Sequence, residues 1–61
     1  MGTTEMLQRA LTYEEALLRN YQTYAAQASS TEIGTLFQEL AQEKAAQIER
    51  LKAMFKRYCK T

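Results

Sequence analysis

Apolar residues recur along most of this chain at alternating spacings of four and three, the pattern of amphipathic helices packed against each other. The pattern predicts one helix over about residues 4–28 and a second over about residues 30–58. Spacing of this kind is typical of helices that cross at about +20°. The first stripe consists of Leu7, Leu11, Glu14, Leu18, Tyr21, Ala25 and Ala28. The second stripe consists of Ile33, Phe37, Leu40, Lys44, Gln47, Leu51, Met54 and Tyr58.

The segment between the two stripes, residues 29–32 with the sequence SSTE, has the composition of a capping box. In this interpretation Ser29 caps the second helix and the Glu32 side chain reaches back to the Ser29 backbone N–H. Ala28 and Ile33 would then occupy the hydrophobic-staple positions around the cap. A connection this short makes the two helices antiparallel neighbours, so we expect one helical hairpin over residues 1–61.

The stripes also predict how the two helices are aligned. Folding the chain at the turn brings together residues whose numbers add to about 59, which places Tyr21 opposite Phe37. Glu14 then lies opposite Lys44, and Gln47 lies one turn further from the loop. These are the strongly polar residues of the two stripes, so the sequence predicts a polar layer inside an otherwise apolar contact.

The apolar surface is wider than a single helix–helix contact requires, since further apolar residues lie beside both stripes: Leu17, Leu36, Ile48 and Phe55. A stripe this broad indicates more than one neighbouring helix, and two helices alone bury little surface. We therefore expect an all-α fold in which the antiparallel hairpin dimerises about a two-fold axis into a four-helix bundle. The expected dimer core consists of Leu7, Leu11, Leu18, Tyr21, Phe37, Leu40, Leu51 and Met54.

Charged residues are placed as two helices require. Glu5–Arg9 and Glu15–Arg19 are i,i+4 pairs in the favourable orientation. Basic residues near the end of the second helix complement its dipole. They are Lys52, Lys56, Arg57 and Lys60. Gly34 has two interpretations, either a close approach of the helices near the turn or a tolerated surface glycine.

Composition excludes several classes of protein. Eight Lys and Arg against seven acidic residues leave a net charge of +1, so no bulk charge favours a nucleic-acid or membrane partner. The basic, aromatic segment 52–60 could contact RNA or an anionic membrane, but a solvated basic helix end has the same composition.

Without a signal-peptide pattern or an apolar run of about 18 residues, a cytoplasmic protein is expected. Cys59 is the single cysteine, which allows a disulfide only between chains.

The polar layer has three interpretations. Glu14 and Lys44 form a half-buried ion pair with Gln47 alongside, which adds little stability but penalises shifted registers. Alternatively, carboxylates on facing helices bind metal ions, although the chain has no histidine and Lys44 brings a cation to the site. In the third interpretation Lys44 is a desolvated base or nucleophile, which the neighbouring carboxylate disfavours. The acidic residues outside the stripes, interpreted as solvated, are Glu15, Glu39, Glu43 and Glu49.

Three segments resemble the N-terminal helical hairpin of rubrerythrin-type members of the ferritin-like superfamily: EEALLRNYQTYA at 14–25, LFQELA at 36–41 and ERL at 49–51. In that family one helix supplies a glutamate ligand seven residues before a tyrosine, and Glu14 stands in this relation to Tyr21. The next helix supplies a Glu-x-x-His motif between a phenylalanine and a leucine. Counted from Phe37, those two ligand positions hold Lys44 and Gln47.

The resemblance therefore implies half of a ferritin-like bundle with degenerate ligand positions at Glu14, Lys44 and Gln47. We expect a non-enzymatic protein without metal or cofactor, which forms a homodimer and has a structural or protein-interaction role. In the alternative, it is a divergent iron or manganese oxidoreductase, or a metal-binding protein, that uses Glu14 with glutamates outside the stripes. A weaker resemblance is to the short helical coat F-type spore-coat proteins, whose terminal Gly-Trp-Tyr pattern is absent here.

Overall fold

Two long antiparallel helices form the protein, as a computed structural model of the chain shows for residues 1–59. Helix α1 comprises Thr3–Gln27 and helix α2 comprises Thr31–Tyr58, with residues 28–30 as the connection. The two helices pack against each other along their length, and residues 1–59 contain no strand. The all-α hairpin expected from the sequence is confirmed.

The cap of α2 differs from the predicted one. Ser30 is the N-cap, with extended backbone angles, and its Oγ accepts a hydrogen bond from the Ile33 N–H at 3.2 Å. The predicted cap at Ser29 is therefore wrong by one residue. With the cap at Ser30, the third helical position holds Ile33 instead of Glu32, so no capping box can form. The same shift removes Ala28 and Ile33 from the staple positions.

The two helices are in register as the stripes predict. The Tyr21 and Phe37 rings lie with centroids 6.1 Å apart, and Tyr24 packs edge-on against Phe37 at 5.3 Å. At the open end of the hairpin, the Cys59 Sγ donates to the Thr4 Oγ1 at 3.4 Å. Contacts near the turn and at the far end hold one alignment along the whole length.

The helices approach closely beside the turn at Gly34. A Cβ atom added at Gly34 would lie 3.6 Å from the Ala25 carbonyl oxygen and 3.6 Å from the Ala28 Cβ. Both distances are ordinary van der Waals contacts, so the close approach is real but leaves room for a methyl group. The helices do approach closely at Gly34, as the first interpretation expects, but the contact does not require a glycine there.

The core of the hairpin is small, and it is not centred where the second stripe predicts. Ile48, only 4% exposed, is the single buried residue within residues 1–59. The sequence interpretation put Ile48 beside the stripe and put Ile33, Met54 and Tyr58 in it, yet these three side chains are exposed. The α2 positions that are not exposed are Gly34, Phe37, Leu40, Ala41, Lys44, Ile48, Leu51 and Phe55. Both sets have the same helical period, so periodicity alone cannot choose between them.

The hairpin is elongated, with principal extents of 46 × 17 × 14 Å. Neither helix, over the described residues, has a stretch that combines the length and the hydropathy needed to cross a bilayer.

Candidate functional site: the Glu14–Lys44–Gln47 layer

The three polar stripe residues meet at one level near the middle of the hairpin. The Lys44 ammonium, from the centre of α2, donates to the Glu14 Oε2 at 2.5 Å across the helix contact. It also donates to the Gln47 Oε1 at 2.7 Å, one turn along the same helix. The predicted polar layer is therefore formed, with Lys44 as its central donor.

The layer lies at the edge of the helix contact, only partly withdrawn from water. The Lys44 side chain is 16% exposed and the Glu14 side chain is 30% exposed. Gln47 is exposed, although the sequence interpretation placed it in the stripe. Because water still reaches the pair, its desolvation penalty is smaller than for a fully buried pair.

This ion pair is the one that joins the two helices among residues 1–59. Arg9 and Glu5, 3.9 Å apart, and Lys52 and Glu49, 3.6 Å apart, are exposed pairs within a single helix. The predicted Glu15–Arg19 pair is not formed within 4.0 Å in the described part of the chain. Glu14–Lys44 is thus the contact through which charge affects how α1 and α2 are aligned.

The donor set gives little support for metal binding at the layer. Within residues 1–59, no group of three or more His, Cys, Asp or Glu side chains is gathered closely enough to bind a metal ion. Glu14 is the layer's one carboxylate, and its Oε2 already accepts from the Lys44 ammonium. The glutamates outside the stripes make no hydrogen bond with the layer, within the described residues.

Lys44 is also poorly arranged to act as a nucleophile. Its ammonium donates to a carboxylate and to an amide oxygen, so two acceptors already hold it. A protonated amine has no free electron pair for attack on a carbonyl group. The arrangement holds Lys44 between two acceptors, one of them on the other helix, and this contact favours one alignment of the helices.

A shallow groove borders the layer on one face of the hairpin, with a volume of about 660 Å³. It is lined by Ala10, Glu14, Gln47, Arg50, Leu51, Ala53, Met54 and Arg57. The sequence interpretation gave Arg50 no role and treated Arg57 only as part of the basic end of the second helix, so it did not place either arginine beside the layer. The i, i+4, i+7 spacing of Arg50, Met54 and Arg57 was the signal that they share a face.

Comparisons of the chain with protein-family models, with curated proteins and with solved structures found no match.

Proposed function

We propose that this chain is a non-enzymatic, ferritin-like hairpin that associates with a second copy into a four-helix bundle and has a structural or protein-interaction role in the cytoplasm. The observation that carries the proposal is the large apolar surface that the hairpin leaves uncovered. Large apolar side chains that remain exposed, apart from Met1, are Met6, Tyr13, Tyr24, Ile33, Leu36, Met54 and Tyr58. Seven large apolar side chains are thus exposed, whereas a single residue among those described is buried. Exposed apolar surface of this extent indicates a site of contact with another molecule.

The accessible surface supports a partner of similar size. The hairpin exposes 4847 Å², whereas a compact monomer of 7.0 kDa would expose about 4,000 Å². The excess of about 800 Å² equals what one partner contributes to an interface of standard size. Association with a second copy would cover this surface without any further chain.

The dimensions agree with the same assembly. The radius of gyration is 14.1 Å, compared with about 10–11 Å for a compact domain of 61 residues. A compact domain twice as long would have a radius of gyration of about 14 Å. The hairpin is thus as extended as a compact domain of twice its length, which is expected of one half of a larger assembly.

The polar layer has a structural part in this proposal. A two-fold dimer would contain two copies each of Glu14, Lys44 and Gln47, and its layer would be electrically neutral. The layer would disfavour shifted alignments, since these would leave a charge without its partner in an apolar surrounding. The resemblance to ferritin-like hairpins supports this function as well, because Lys44 supplies positive charge beside the glutamate at a ligand position.

The proposal is tested by the mass of the native protein. Size exclusion with light scattering, and native mass spectrometry, are expected to give a dimer at micromolar chain concentration. The circular dichroism spectrum should be that of a helical protein under the same conditions. A folded, helical monomer at these concentrations would contradict the proposed function.

Metal content tests the alternative function. We expect elemental analysis of aerobically purified protein to find no stoichiometric transition metal. Iron or manganese at about one or more per chain would support the di-metal alternative instead. Copurified metal should also be measured after treatment with a chelator, because surface carboxylates bind metal weakly and lose it readily.

A further inference from the structure

We propose that α2 packs antiparallel against α2 of the second copy, about a two-fold axis perpendicular to the helices. This inference rests on the proposed homodimer and specifies which surfaces meet in it. A row of charged residues on α2, separate from the polar layer, carries the inference.

The row, here called the charged stripe, consists of Glu32, Glu39, Glu43, Arg50 and Arg57. At 3.6 residues per turn, these five positions lie within about 40° of one line along α2. All five residues are exposed. The first half of the stripe is acidic and the second half is basic. Two copies of α2 placed antiparallel therefore bring opposite charges together.

The charged stripe borders the uncovered apolar surface. Leu36 and Met54 lie about 40° from the stripe, on the side towards α1. Ile48, which is buried against α1, lies about 160° away. Arg50 and Arg57 accordingly line the open groove together with Met54. The charged stripe flanks the exposed apolar residues as e and g positions flank the apolar positions of a coiled coil, where charges determine partner and orientation.

Two arrangements bring the apolar faces of two hairpins together about a two-fold axis. With the axis parallel to the helices, α2 of one copy lies beside α1 of the other, in the alignment observed within the hairpin. That alignment places Arg50 level with the partner's Arg9, and Glu39 level with the partner's Asn20. Arg50 and the partner's Arg9 repel each other, and the acidic half of the stripe gains no cation. Only Arg57 comes near an opposite charge, the partner's Glu5, because Thr4 and Cys59 meet at that end of the hairpin. This arrangement therefore complements the stripe less completely.

With the axis perpendicular to the helices, the two α2 helices are antiparallel neighbours. When they overlap over their full length, Glu32 lies level with the partner's Arg57 and Glu39 level with the partner's Arg50. By symmetry each of these pairs occurs twice. Glu43 is level with the partner's Ala46 and has no cation opposite it, since it lies close to the two-fold axis. The centre of this overlap falls beside Lys44, so the polar layers of the two copies also lie at one level. Complete overlap and charge pairing thus select the same alignment.

The test uses two variants with opposite stripes. The basic variant carries Glu32→Arg and Glu39→Arg, and the acidic variant carries Arg50→Glu and Arg57→Glu. Each variant alone places like charges together in the proposed dimer, so its dissociation constant is expected to rise about tenfold or more. An equimolar mixture restores all the charge pairs, and we expect heterodimers at least as stable as the original homodimer.

Native mass spectrometry of the mixture separates heterodimers from homodimers by mass. The single variants Glu39→Arg and Arg50→Glu repeat the test away from the helix ends, where a change of charge also alters the helix dipole interaction. Circular dichroism of each variant, alone and mixed, checks that the helices persist. A rescue limited to variants that have lost their helices would count against the proposal.

Matched controls reverse charges outside the stripe. Arg19→Glu and Glu49→Arg change exposed residues on other faces of the helices, and we expect each to change the dissociation constant less than twofold. If the original chain is a dimer but the stripe variants dissociate no more than these controls, or do not recover on mixing, the antiparallel α2 arrangement is overturned while the dimer stands. If the original chain is a folded monomer, the proposed function and the arrangement both fail.

Discussion

At the scale of single residues, the main feature is a lysine placed in a helix contact. The stripe positions of Glu14 and Lys44 were sufficient to predict that they meet, because antiparallel helices joined by a short turn have few alignments. Their degree of exposure was not predictable from spacing. It depends on which side of the stripe faces the other helix, and Gln47 lies on the open side.

Replacing Lys44 by methionine should leave the Glu14 carboxylate half-buried without its cation. We expect the free energy of unfolding to fall by about 1–2 kcal/mol, measured by urea denaturation at a fixed chain concentration. The matched control is Lys52→Met, which removes an exposed pair within α2 and should change stability by less than about 0.5 kcal/mol. Adding Glu14→Leu to Lys44→Met should recover most of the loss. Equal effects of Lys44→Met and the Lys52 control would contradict a structural function of the layer.

The ferritin-like resemblance is tested by restoring the ligand types it implies. The variant Lys44→Glu/Gln47→His places a carboxylate against Glu14, so without metal we expect it to be less stable than the original chain. Added Fe(II), Mn(II) or Zn(II) should raise its thermal midpoint, since metal binding to the folded state stabilises that state. Lys44→Glu/Gln47→Ala, which lacks the imidazole, is the control. A midpoint that is insensitive to all three metals would argue that the layer is not a former metal site.

At the scale of the helices, the two elements were predictable and the details of their ends were not. Apolar residues repeat with a helical period through both segments, and propensity agrees, so the existence of α1 and α2 followed from the sequence. Two adjacent serines offered two caps for α2. The backbone conformation decides between them. The N-cap is the residue with extended backbone angles that immediately precedes the first helical residue, and its side chain accepts from the third helical N–H.

Replacing Ser30 by alanine should remove the hydrogen bond from the Ile33 N–H. We expect a loss of about 1 kcal/mol in the free energy of unfolding, followed by thermal or urea denaturation. Ser29→Ala is the natural control, because Ser29 precedes the cap and its replacement should be close to neutral. A larger loss for Ser29→Ala than for Ser30→Ala would contradict the cap at Ser30 and support the capping box predicted from the sequence.

At the scale of the whole molecule, the hairpin has two unequal faces. The face that carries Leu36 and Met54 exposes large apolar side chains, whereas the groove on the other face is lined by glutamine and alanine. An apolar face beside a polar one is expected when one side is covered by a partner and the other by water.

Replacing Leu36 by glutamine tests this difference between the faces. In an isolated hairpin Leu36 is 48% exposed, so the change should barely affect folding. In the proposed dimer it places an amide in the interface, and we expect the dissociation constant to rise about tenfold by analytical ultracentrifugation. Ala26→Gln, at an exposed position lining the opposite groove, should leave association unchanged. The same small effect for both variants would argue against an interface on the Leu36 face.

The sequence by itself determined the two helices, their antiparallel order, their alignment and the meeting of Glu14 with Lys44. These features follow from helical period and loop length, which are local properties of the chain. Only the tertiary structure decided that Ile48 is the buried residue and that Ile33, Met54 and Tyr58 are exposed. Stripes with the same period differ only by a rotation about the helix axis, and the packing of the second helix selects that rotation.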